Sequence, residues 1–120
     1  MHFALVVYET PADMAARSNP ETAPAYMGAS LAYSQALQAA GVAAGGAGLQ
    51  PPALATTVRL REGRRLVQDG PFADTKEQLG GFFVIDVPDL DTALQWAARC
   101  PAAATGSVEV RPALPPPPDA

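Results

Sequence analysis

The sequence is poor in the residues that most often carry chemistry. Its 120 residues include one Cys and one His, and aromatic side chains make up 7%. The lone Cys100 allows no intramolecular disulfide, excludes a zinc site of the multi-cysteine type and fits a reducing compartment. The lone His2, at the very start of the chain, makes no metal site. An excess of positive charge is also missing. Eight Lys and Arg stand against twelve Asp and Glu, a net charge of -4. Phosphate neutralisation needs the opposite sign, so nucleic acid is not an expected partner. The first apolar run, Phe3 to Tyr8, has no basic stretch before it and is too short for a signal peptide or a membrane span. The expectation is a cytoplasmic protein that meets no membrane and holds no metal or organic cofactor.

Hydrophobic residues make up 48% of the chain and charged residues 17%. That suits one domain with a real core, placed at residues 1–112 and followed by a Pro-rich tail, "ALPPPPDA" (113–120). The tail reads as a mobile polyproline-type segment. Much of the apolar content is Ala. The core is therefore expected to lean on Phe3, Leu5, Val7, Leu31, Leu37, Phe82, Phe83, Ile85, Leu94 and Trp96.

"FALVVY" is apolar on both alternating faces and reads as a strand covered on both sides. "ETPADMAARSNPET" reads as a loop with one helical turn near Met14 to Arg17. "APAYMGASLAYSQALQAAG" is a helix, with Thr22 as N-cap, Pro24 in its first turn and Gly41 just past its end. Tyr26, Tyr33 and Leu37 share one of its faces. "VAAGGAGLQPP" is weakly strand-like, and its glycines allow a bulge or close backbone approach. It lacks the Lys-Ser/Thr ending of a phosphate loop. "ATTVRLREGRRLVQDG" alternates on both sides of Glu62-Gly63, a β-hairpin whose loop has two or three residues. "GGFFVIDV" is a second strand loaded on both faces. "PDLDTALQWAARCP" is a helix capped by Asp89, ended by Pro101 and buried through Leu90, Leu94 and Ala97. "GSVEVRP" closes the fold with Val108 and Val110 inward.

Strand, helix, strand, hairpin, strand, helix, strand is the order of an α+β ferredoxin-like sandwich with an inserted hairpin. Helices cover one sheet face in that layout. The two strands that are apolar on both faces call for a cover on the other, and a second copy of the chain is the economical one.

Between the hairpin and the next strand lies "DGPFADTKEQLGG". Asp69-Gly70 can close a strand as an Asx-turn. Asp74 to Glu77 reads as a capped helical turn, with Pro71 and Phe72 packed on the core. The segment also offers carboxylates near cations at a sheet edge, so Tyr8, Arg59, Asp69, Asp74 and Lys76 form the candidate ligand-binding cleft. Arg59 could recognise a carboxylate or phosphate. The structural and functional readings are compatible, because a rigid turn is a good mount for a site.

The block from Ala55 to Pro101, with Asp69-Gly70-Pro71-Phe72 at its centre, resembles the YCII-related proteins of the DGPF type. The resemblance extends from the first strand to Pro112. It implies a dimeric ferredoxin-like α+β barrel. Members of the DGPF group are often encoded beside, or joined to, extracytoplasmic-function sigma factors. More distant relatives use a His–Asp pair in a cleft, and some act on chlorinated aromatic compounds. This chain has only His2, so that pair is not carried over. Two functions follow as expectations. One is a homodimeric binder of a small anionic or aromatic molecule, or a weak enzyme. The other is a regulatory module whose partner is a protein such as a sigma factor.

Overall fold

The computed structural model describes residues 1–115 and 117. It contains the strands β1 (His2–Glu9), β2 (Ala43–Gly48), β3 (Thr56–Arg61), β4 (Arg64–Asp69), β5 (Gln78–Asp86) and β6 (Ser107–Pro112). Its α-helices are α1 (Pro11–Ser18), α2 (Ala23–Ala39) and α3 (Leu90–Arg99). The four-stranded sheet runs in the order β2-β5-β1-β6, and its neighbours are all antiparallel. That is the strand order of a ferredoxin-like α+β sandwich. The strands β3 and β4 form a separate two-stranded sheet, as the alternating hairpin sequence predicts.

Period-2 alternation places Phe3, Leu5 and Val7 of β1 on the helix side. Their cross-strand partners Ile85, Phe83 and Gly81 share that face. So do Val110 and Val108 of β6. Tyr33 of α2 knits the layers together. Its ring meets Phe83 edge-on at 5.2 Å, and its hydroxyl donates to the Trp96 carbonyl at 2.7 Å. Burial holds the Tyr33 phenol well above its ordinary pKa.

Several expected core residues lie elsewhere. Leu31, Leu94 and Leu90 are exposed, and Phe82 points to the open side of the sheet. Helix α3 buries Ala93, Ala97 and the following Cys100 instead. Small side chains on that stripe let the helix lie close to the sheet, and this turns Leu90 and Leu94 outward. The reading of residues 10–18 as a loop also needs correction, because Pro11–Ser18 is a helix. Thr10 caps it by accepting from the Asp13 N–H, while Asp13 accepts from the Thr10 N–H. Thr22 does not cap α2 through its side chain; its hydroxyl donates to the Ala16 carbonyl. Asp89 caps α3 as expected, accepting from the Thr92 N–H at 2.8 Å, and this bond holds its carboxyl below the usual carboxylate range.

The glycines of β2 do what their sequence suggests. A bulge lies between Ala43 and Gly45. A Cβ on Gly46, at φ +135°, would meet the Phe82 carbonyl oxygen at 2.5 Å. The hairpin pairs Arg61 with Arg64, which fixes a two-residue loop. Glu62 and Gly63 both have positive φ, as a type I′ turn requires. Of the tail read as mobile, residues 116 and 118–120 lie outside the described residues, and 113–115 carry no helix or strand. No helix among the described residues is long and apolar enough to cross a membrane.

Candidate functional site

The alternation that buries Phe3, Leu5 and Val7 continues to Glu9, which is only 3% exposed. A carboxylate so placed must be compensated. The Arg17 guanidinium, brought over by α1, contacts Glu9 Oε1 at 2.9 Å. Tyr26 of α2 donates its hydroxyl to Glu9 Oε2, and a second guanidinium nitrogen of Arg17 donates to the Leu49 carbonyl. Burial, and then the Glu9 carboxylate, push the Tyr26 phenol well above its ordinary pKa, so it stays a neutral donor. Gly80 completes the arrangement. A Cβ there would coincide with the Glu9 carboxylate, so the absence of a side chain on β5 is what lets Glu9 lie down.

A cavity of about 100 Å³ lies between α2 and the sheet, with Glu9, Arg17 and Tyr26 at one end. Its remaining wall is mostly apolar, including Met27, Tyr33 and Phe83. Glu9 also borders a shallow groove of about 570 Å³, whose other side is the turn with Asp69, Asp74 and Lys76. One carboxylate thus borders two spaces. Behind it, Asp13 is held by the α1 cap and by the Thr105 hydroxyl at 2.8 Å.

Three of the five sequence-predicted site residues come together. Asp69, Asp74 and Lys76 line the groove and are exposed. Arg59 does not join them. Its guanidinium stacks 5.2 Å from the centre of the Phe72 ring. Tyr8 alternates with Val7 and Glu9 and therefore faces the side of the sheet away from the helices. The residues that sequence reading missed are Glu9, Arg17 and the polar role of Tyr26. Two signals were present: Glu9 continues the buried period of β1, and Thr10-x-x-Asp13 with Pro11 is a helix start.

The turn is built differently from expectation. Residues 71–77 contain no helix, and Asp69 and Asp74 make no side-chain hydrogen bond among the described residues. Four residues with no helix to follow them do not repay nucleation. The turn is held instead at Gly70, whose N–H donates to the Ala55 carbonyl at 2.7 Å and whose carbonyl accepts from the Thr57 hydroxyl. Phe72 is 75% exposed rather than packed on the core. Glu77 does not cap, and its Oε1 is enclosed without a partner.

Among the described residues no cluster of three or more His, Cys, Asp or Glu could hold a metal ion. The arrangement can offer an acceptor, Glu9, with its two supporting donors, to a small molecule whose body sits against apolar walls. Cys100 also lines the cavity, but burial raises its thiol pKa, which disfavours the reactive thiolate.

Comparison with known proteins agrees with this architecture. An uncharacterized protein, R00369, of Rhizobium meliloti (strain 1021) is 52% identical over 66 residues. That match spans 53% of this chain and 53% of the relative, so it covers about half the length of each. The model of the YCII-related domain matches residues 1–115, nearly the whole chain, and the protein therefore belongs to the YCII-related family.

Proposed function

We propose that the protein is a homodimeric binder of a small aromatic molecule, or a weak enzyme acting on one, with Glu9 as the group that meets the ligand. The observation that carries this reading is a buried carboxylate, held by Arg17 and Tyr26, on the border between an apolar cavity and an open groove. A preformed, mostly apolar pocket with a few convergent polar groups is the usual form of a small-molecule site. The chemistry favours a neutral ligand with one hydrogen-bond donor over an anion. Arg17 already faces Glu9, and the groove's Lys76 stands beside Asp69 and Asp74. The size of the cavity suits a single ring. If a reaction follows, Glu9 would accept a proton from the bound ligand. The groove and its turn serve as the approach, which keeps Asp69, Asp74 and Lys76 in the functional reading as lining groups.

Phenol is a suitable probe. Titrated against labelled protein, it should shift the resonances of Tyr26, Met27 and Phe83. Glu9→Gln should weaken binding about tenfold, or roughly 1.4 kcal/mol, while Asp69→Asn leaves it nearly unchanged. No shift at those residues up to millimolar phenol would sink the reading.

A further inference from the structure

Two apolar surfaces have no partner within the described chain. The first is the β3–β4 arm. An isolated two-stranded hairpin is marginal in water, yet this one forms its own sheet and pairs with no other strand. Val58, Leu60 and Val67 are each more than half exposed. Val58 pairs with Val67 and Leu60 with Arg65, so the three apolar side chains share one face of the arm. The second surface is the side of the main sheet away from the helices, where Val6 pairs with Phe82 and Ala4 with Val84. The molecule is 49 × 43 × 19 Å, and its thin dimension holds one helix layer on one sheet with nothing beyond it.

The two surfaces also differ in charge. The arm, residues 56–69, carries four of the chain's eight Lys and Arg but two of its twelve Asp and Glu, a net +2. The remainder holds four basic and ten acidic residues, a net -6. A basic apolar arm and an acidic body with an open apolar face are complementary, and both are present on every copy.

We infer that each arm lies with its Val58–Leu60–Val67 face on the open sheet face of a second copy, so that two copies exchange arms around a two-fold axis. An isologous contact of this kind closes on itself and leaves neither surface over. The inference rests on the dimeric reading above and adds the segment that makes the contact. Opposite net charge steers the approach, and apolar burial holds the pair.

Sedimentation equilibrium at micromolar concentration tests it, with wild type, Leu60→Glu/Val67→Glu, and Leu66→Glu on the other face of the arm. Wild type and Leu66→Glu should show twice the 12.4 kDa chain mass. The double variant should show the chain mass alone, with an unchanged far-UV spectrum. A dimeric double variant would overturn the arm contact and leave the dimer standing. A monomeric wild type would overturn both, and would leave the arm free for a different protein. Dissociation by Leu66→Glu as well would overturn the assignment of the face. Should the double variant fail to fold, hydrogen exchange in wild type decides. Arm amides should be protected at micromolar concentration and lose that protection at nanomolar concentration. Free exchange at both concentrations would overturn the inference.

Discussion

Gly80 and Glu9 are read together or not at all. The glycine looks like a weak point in a strand, and the glutamate looks like a polar residue at a strand end. Each is explained by the other, because the carboxylate lies where the Gly80 side chain would be. Gly80→Ala should cost about 1–3 kcal/mol by overpacking, because Arg17 and Tyr26 hold Glu9 and limit its retreat. Chemical denaturation measures this, and a variant as stable as wild type would show that Glu9 moves freely. Phenol binding should fall in the same variant. The Tyr26 phenol gives a second prediction. Its folded pKa is raised above the unfolded value of about 10. The unfolded chain therefore loses this proton first, and stability present below pH ~10 is lost as pH rises beyond it. Tyr33 acts in the same direction. Tyr26→Phe should cost about 1–3 kcal/mol at neutral pH by leaving a carboxylate oxygen without its donor. It should also flatten the alkaline decline, and an equally steep decline would argue against the assignment. Glu9 could have been read from the period of β1. Its contact with Gly80 could not, because a register shift between Val7 and Tyr8 sets which residue lies opposite.

At the scale of elements, sequence pattern read the strands better than the turns. The strands β1, β5 and β6, the hairpin and the α3 cap are all legible, because periodicity and capping are local. Helix α1 was missed as eight residues with Pro at the start and little apolar content. The segment "DGPFADTKEQLGG" was misjudged for a related reason. Its residue types allow several local bonds, and the choice among them came from the neighbouring β3, through Ala55 and Thr57. Two substitutions separate anchored from free backbone. Phe72→Ala should stay within about 0.5 kcal/mol of wild type in the monomer, since the ring is mostly in solvent. Gly46→Ala should be the worse change despite its smaller size. Its Cβ meets backbone atoms of Phe82 and Phe83, at a φ that suits glycine. A melting-temperature series ranks them, and the reverse order would mean that Phe72 is anchored after all.

For the whole molecule, the ferredoxin-like order was readable because two half-motifs each announce themselves by a buried strand followed by a helix. The flat, extended outline was not. The radius of gyration is 16.1 Å, against about 14 Å for a compact chain of this length. The excess reflects the projecting arm, and no local pattern tells whether a hairpin folds back or stands away. Acid should loosen the molecule at the Asp89 cap. Its folded pKa is depressed, so the stability it adds is present above the unfolded pKa of about 3.9 and is lost as pH falls through the folded value. Asp89→Asn keeps a capping oxygen and should remove that part of the acid dependence. Denaturant midpoints between pH 2 and 6 check this, and an unaltered slope in the variant would refute it.

Strand β1 lies in the middle of the sheet, between β5 and β6, so that Phe3 stands opposite both Ile85 and Pro112. The first strand to leave the ribosome is thus the one whose two neighbours are made last. Until then its apolar residues have only the short helices that follow it to rest against, while the arm can close alone through its tight turn. Synthesis therefore places a waiting period on the most hydrophobic segment of the chain. A nascent chain halted before Ser107 would hold β1 with one side of its backbone unpaired, as an open edge for any other strand within reach.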